Sequence, residues 1–403
     1  SLHYFYFGWA SYSGCSRNNP VMHINCYLTM KRILTLFSAL TAVMGLSLNA
    51  SSMTTIKLLQ TSDIHGNFFP YNFITRQPSA GSLARVYGAV KEARQRYGDN
   101  VILLDNGDIL QGQPTVYYYN FVDTVTPHVA SRMMNFMRYD AGNVGNHDVE
   151  TGRKVLERWS RQCDMPVLGA NIIDTATGEP AFTPYKVVGH DGVKVAILGL
   201  LTPAIPAWLP EVLWKGLRFD DMEATARKWI PIIKERENPD VIVGVFHAGQ
   251  RGNTLVRYRE NPSLEIAERV PGFDVVLMGH DHRRENKKVV NVEGDTVLVM
   301  NPANNGVVLT DITMTFKRDD DGRIIDKHID GELRHMSDCE PEADFMAEFA
   351  PDMAVIKEYV DTPIGEFTSS ITTRDAYFGP SEFVDLIHEL QLGITGADIA
   401  FAA

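Results

Sequence analysis

Hydrophobic and polar positions alternate along this chain in blocks. Four short, mainly apolar runs each lead into a turn rich in Gly, Asn, Asp or His: Ile56-Lys57-Leu58-Leu59, Val101-Ile102-Leu103-Leu104, Val241-Ile242-Val243-Gly244-Val245 and Val275-Val276-Leu277-Met278. Runs of this length, closed by turn residues, predict strands buried on both faces. Helical periodicity lies between them, over Leu83–Tyr97 and Glu223–Lys234. The alternation predicts an α/β sheet with helices on its faces. The stretch from Thr296 to Phe316, broken at Asn304-Asn305-Gly306, predicts a closing hairpin. Asp319-Asp320-Asp321-Gly322 predicts a solvated turn.

From Pro341 the pattern changes. Phe345, Met346, Phe349, Met353, Ile356 and Tyr359 recur at helical spacing and predict one amphipathic helix, ended by Thr362-Pro363. Residues from Ile364 to Ala403 read as the opening of another α/β unit, inside which the chain is expected to stop.

Composition narrows the class. A chain of 403 residues, 44% hydrophobic and 22% charged, is that of a soluble globular protein with two or three domains. Its net charge of −12 argues against binding a nucleic-acid polymer, which needs a basic face. The first fifty residues differ, with Arg17, Lys31 and Arg32 but no acidic side chain. Met30-Lys31-Arg32, the apolar run from Ile33 to Leu48 and the small residues that follow have the three parts of a secretory signal peptide, not of a stable membrane span. Residues 30–52 are therefore expected to direct export to the periplasm or cell exterior, and residues 1–29 to be a translated upstream stretch. Cys163 and Cys339 are then the only mature cysteines, too few for a disulfide framework or a thiolate metal site.

The candidate chemistry lies just past the predicted strands, where α/β sheets place their sites. Asp63-Ile64-His65 and Asn106-Gly107-Asp108 are each ordinary turn chemistry alone. Gly145-Asn146-His147-Asp148 is sharper. His247 follows a fully apolar strand, and His280-Asp281-His282 places two imidazoles two residues apart, facing one way if the chain is extended. Together, five strand ends deliver Asp, Asn and His without thiolate. That donor set suits manganese, iron, cobalt or zinc, and its number suits two ions sharing a carboxylate, typically ~3.5–4 Å apart.

These five segments, in this order, resemble the calcineurin-like metallophosphoesterase superfamily, and within it the secreted 5'-nucleotidase and 2',3'-cyclic-nucleotide 2'-phosphodiesterase family. The resemblance implies a four-layer α/β/β/α sandwich over residues 53–335, a linker helix over 336–362 and the start of a C-terminal nucleotide-binding domain over 363–403. It implies Asp63, His65 and His282 on one divalent ion, Asn146, His247 and His280 on the other, and Asp108 bridging both. His147 matches the catalytic histidine, and Glu150 stands where one branch has an orienting Asp. Asp105-Asn106-Gly107-Asp108-x-x-Gln111-Gly112 is closer to the cyclic-nucleotide branch. The implied reaction is attack on phosphorus by metal-activated hydroxide, with His147 protonating the leaving alkoxide. The implied substrates are nucleotides. A non-nucleotide ester substrate, or a surface binding module on the same shell, are the alternatives. Tyr117-Tyr118-Tyr119, Trp208, Trp214, Trp229, His128, His190 and Arg374 are expected to serve packing, loops or surface ion pairs.

Overall fold

The computed structural model describes residues 53–252 and 258–402. The expected upstream stretch and signal peptide lie outside these residues. Among the described residues the chain divides into two units, Met53 with Phe316–Asp326, and Thr54–Thr315 with residues 327–402. In the first, the predicted Asp319–Gly322 turn forms. Gly322 N–H donates to the Asp319 carbonyl at 3.0 Å, and Asp319 N–H to the Arg323 carbonyl at 2.9 Å.

The two main sheets are built from twelve strands. In chain order they are β1 (Met53–Thr61), β2 (Val101–Asp105), β3 (Ala141–Asn143), β4 (Val167–Leu168), β5 (Tyr185–His190) and β6 (Val193–Leu201), then β7 (Val241–His247), β8 (Val275–Met278), β9 (Arg284–Val290), β10 (Thr296–Pro302), β11 (Val308–Arg318) and β12 (Ile324–His335). One six-stranded sheet runs β12-β11-β1-β2-β3-β4, the other β9-β10-β8-β7-β6-β5. The inner pairs β1–β2, β2–β3, β3–β4, β6–β7, β7–β8 and β8–β10 are parallel. Parallel neighbours end at the same edge of a sheet, so their closing turns gather there.

Strand alternation makes four layers. In the first sheet Leu59, Val101 and Leu103 pack on the helices α1 (Leu83–Tyr97) and α2 (Val129–Met137). In the second, Leu198, Ile242, Phe246 and Val276 pack on α4 (Met222–Glu237) and α5 (Ser263–Arg269), while the five-residue α3 (Asn146–Glu150) sits at the end of β3. Between the sheets, Gln60 Nε2 donates to the Met278 carbonyl at 3.0 Å and Asn143 Nδ2 to the Leu200 carbonyl at 2.9 Å. The helix α1 matches its predicted bounds because local signals agree. The Ser82 hydroxyl accepts the Arg85 N–H, Leu83, Val86, Val90 and Ala93 share a buried face, and Gly98 ends it at φ 60°.

Two expectations change. Thr296–Phe316 is not a hairpin. β10 pairs with β8 and β9, whereas β11 joins the other sheet beside β1. The turn at Ala303, Asn305 and Gly306, all with positive φ, carries the chain from sheet to sheet instead of folding it back. The single helix from Phe345 to Tyr359 is two, α6 (Ala343–Glu348) and α7 (Ala350–Asp361), broken at Phe349 with Pro351 in the first turn of the second. Phe345, Phe349 and Ile356 still face the core, as the periodicity required. From residue 364 to 402 the described elements are a short turn of helix at Arg374–Tyr377 and α8 (Glu382–Thr395), with no strand. No helix among the described residues is long and apolar enough to cross a membrane.

Candidate metal centre

Each predicted site residue stands at the end of an inner strand, and both sheets contribute. Asp63 and His65 follow β1, Asp108 follows β2 and Asn146 follows β3. His247 ends β7, and His280 and His282 follow β8. Five of these residues have left-handed backbones: Asp63 (φ 51°), His65 (50°), Asp108 (58°), His280 (72°) and His282 (53°). Such conformations are uncommon for residues with a Cβ, and here they concentrate where side chains must turn inward. They also correct the expectation for His280 and His282. The chain between them is not extended, and their rings go to different clusters.

In one cluster Asp63, His65 and His282 bring donor atoms within 4.8 Å of one another. His65 Nε2 lies 3.1 Å from His282 Nε2, which is 3.3 Å from Asp63 Oδ1. In the other, Asp108, His247 and His280 do the same. His247 Nε2 is 3.1 Å from Asp108 Oδ2 and 3.0 Å from Asn146 Oδ1, which is 2.8 Å from His280 Nδ1. His147 stands beside both clusters: its ring centroid is 5.4 Å from that of His65, and its backbone N–H donates to Asp108 Oδ1 at 2.8 Å.

The surroundings fix which nitrogen of three of these rings faces inward. The outer Nδ1 of His65 meets the Gln111 carbonyl and side-chain oxygens, both at 3.1 Å. His247 Nδ1 meets the Asn106 carbonyl at 2.6 Å, and His280 Nε2 meets Glu260 Oε1 at 2.9 Å. An outer acceptor places the ring proton outside and the lone pair inside, which is how cation-binding imidazoles are held. The electrostatics favour positive charge here. Burial pulls the His247 pKa down, but Asp108 and Asp63 outweigh it and push it up to about 10. Asp108 is held well below the usual carboxylate range: burial alone would raise it, but the surrounding imidazoles, His247 first, prevail. The buried carboxylates demand positive charge, so the donors present fit divalent cations.

Residues around the donors build this geometry. Asp148 is fully buried and accepts four backbone N–H groups, from Asp108 (2.9 Å) and Gly145 (2.8 Å) on one oxygen and Ile109 (3.0 Å) and Leu110 (2.9 Å) on the other. It sits at the third position of α3, where an acidic side chain reaches back to the helix start, and that placement was the legible clue. Gly145 is required here, because a Cβ would lie 2.1 Å from Asp108 Oδ1. Glu150 pairs with His147 Nδ1. Trp208, expected in packing or a loop, instead stacks on His280 with centroids 5.4 Å apart and remains 41% exposed. His128 has the bland role expected, capping α2 while bonded to Asn120 at 2.8 Å.

The model of the calcineurin-like phosphoesterase family matches residues 56–284, and the chain belongs to that family. Among curated relatives, it is 30% identical over 266 residues to the 2',3'-cyclic-nucleotide 2'-phosphodiesterase/3'-nucleotidase of Yersinia enterocolitica, covering 62% of this chain and 40% of that protein. It is 29% identical over 251 residues to the 5'-nucleotidase of Vibrio cholerae, covering 61% and 42%. The solved structure of the calcineurin-like phosphoesterase YfkN from Bacillus subtilis matches with a TM-score of 0.67 and 25% identity, over 77% of this chain and 100% of that one. The chain thus aligns with about two fifths of these curated relatives, 40% and 42%.

Proposed function

We infer that this protein is a two-metal phosphoester hydrolase acting on nucleotides, as a 5'-nucleotidase, a 2',3'-cyclic-nucleotide 2'-phosphodiesterase/3'-nucleotidase, or both. The observation that carries this reading is the convergence of inward lone pairs on two adjacent points, each with carboxylate, imidazole or amide donors and outer acceptors fixing the rings. Asp63, His65 and His282 would hold one cation and Asn146, His247 and His280 the other, with Asp108 between them. The donors suit manganese, iron, cobalt or zinc. When bound, such ions supply Lewis-acid stabilisation of phosphoryl oxygens and activate water for in-line attack.

The chain's own catalytic group is His147. Glu150 occupies its Nδ1, which orients the ring and leaves Nε2 to protonate the departing ester oxygen. Asp148 acts behind it, anchoring the turns that carry Asp108 and Asn146. The names of the relatives support nucleotide substrates, and the Asp105–Gly112 segment favours the cyclic-nucleotide branch. Export belongs to the same reading, supported by the basic, apolar and small residues over 30–52.

The test combines metal analysis with hydrolysis of AMP, 3'-AMP, 2',3'-cyclic AMP and a chromogenic phosphate ester. Two bound ions with turnover of at least one nucleotide is the expected result. Turnover of the chromogenic ester alone refutes the nucleotide assignment, and no turnover with both ions bound refutes the hydrolase.

A further inference from the structure

Beside His147 lies a cavity of about 290 Å³ that shares its wall with the site. Glu150, the partner of His147, and Gln111, the partner of His65, both line it. The facing wall is aromatic. Tyr117 and Phe121 stand one turn apart with ring centroids 5.2 Å apart and planes inclined at 59°, and they are 52% and 50% exposed. Their backbone is anchored, because the intervening residues point inward. Tyr118 packs its ring on Tyr359, and the buried Tyr119 donates its hydroxyl to Asp352. The segment passes from a short α-helix (Pro114–Tyr117) to one wide π-turn (Tyr118–Val122), a local irregularity that recurs at functional sites. Two large rings are thus held out toward solvent on a fixed support, next to the side chain proposed to meet the leaving group.

We propose that this cavity receives the aromatic part of the leaving group, a nucleoside base or an aryl ring, in a subsite belonging to the catalytic domain itself. The inference rests on the function proposed above, since His147 as proton donor is what puts the leaving group on this side. The volume is at the low end of the ~300–1,000 Å³ of small-molecule sites, which suits one ring system and excludes a whole nucleotide. Tyr117 and Phe121 supply the apolar faces, and Gln111 and Glu150 border the polar end toward the reacting ester.

The experiment compares KM for p-nitrophenyl phosphate and glycerol 2-phosphate in manganese-loaded wild type, Tyr117→Ala, Phe121→Ala and the ring-retaining Phe121→Tyr. Each alanine variant is expected to raise KM for the aryl ester roughly fivefold, the loss of one ring contact, and to leave the glycerol ester unchanged. Phe121→Tyr should stay near wild type. Equal changes for both esters, or none, overturn the subsite. Equilibrium dialysis of adenosine, which carries no phosphate ester, against the manganese-loaded protein supplies a readout without catalysis. Binding weakened by the alanine variants supports the subsite, and binding that is absent or indifferent to them overturns it. If wild type hydrolyses neither ester, dialysis alone decides the cavity, while the proposed function stands or falls on the nucleotide assay.

Discussion

Asp148 and Glu150 are two carboxylates on the same five-residue helix, and substituting each should have a different consequence. Asp148→Asn preserves shape but replaces one oxygen with an amide group that faces two of its four backbone N–H donors. Two charge-assisted hydrogen bonds are lost, at ~1.5–3 kcal/mol each, and the donors left behind are buried. Removing a carboxylate that burial and the neighbouring Asp108 already push up to about 6 offsets part of that loss. The net cost is on the order of 4 kcal/mol, a large share of the ~5–15 kcal/mol that holds a domain folded. Calorimetry should show the midpoint falling by about 10 °C. Metal analysis should show less than full loading, because the four donors belong to the turns that carry Asp108 and Asn146. Glu150→Gln is the control. Its side chain is 41% exposed and, among the described residues, has His147 as its polar partner, so the midpoint and metal content should hold while kcat falls. An Asp148→Asn protein with an unchanged midpoint and full metal would refute the anchoring role.

Three further outcomes are expected. His147→Ala should keep both ions and lose about 10²–10⁴ in kcat, whereas Asp108→Asn should lose metal as well, and His147→Ala stripped of both ions would contradict the separation of roles. His128 has a pKa depressed to about 3 by burial and then by Arg158 and Arg132, so the fold favours the neutral ring. Its contribution is complete above the unfolded value of ~6.5 and is lost as pH falls toward 3, at up to ~1.4 kcal/mol per pH unit. Unfolding at pH 7 and pH 4.5 should therefore show a smaller acid loss in His128→Gln than in wild type, and equal losses would count against it. Asp352, 6% exposed on its side chain, accepts from Tyr119 and Arg132 and ties α7 to the domain. Asp352→Ala should cost about 2–3 kcal/mol in urea unfolding, discounted for the partly exposed Arg132, with kcat for glycerol 2-phosphate per folded molecule unchanged.

Much of the site was legible because chemistry and fold share one signal. Asp63, Asp108, Asn146, His247 and His280 each follow or end a buried strand, so the apolar runs that predicted the sheet also located the donors. What stayed hidden depends on partners distant in sequence. A buried strand pairs equally well with a parallel neighbour and with its successor, so Thr296–Pro302 and Val308–Arg318 read as a hairpin although they belong to different sheets. The break at Phe349 was hidden because its two helices keep one apolar face in phase. Gln111 and Glu260 orient imidazoles 46 and 20 positions away, and Trp208 reaches its ring partner across a loop, contacts that no local pattern encodes.

The placement of the donors has a consequence for the lifetime of the molecule. Cys163 and Cys339 are both free, so these two supply no covalent tie. His65 and His282 are 217 positions apart, His280 and Asn146 134, and His247 and Asn146 101. Ions held by such pairs close long loops of chain, and the entropy removed from the unfolded ensemble grows with loop length as it does for a disulfide. The donors also come from opposite sheets, so each closure is a stitch across the seam between them. Under the function proposed above, a chelator would be this protein's counterpart of a reducing agent. Turnover and durability would then share one control, because the loading that makes the molecule active would also tie its two sheets together.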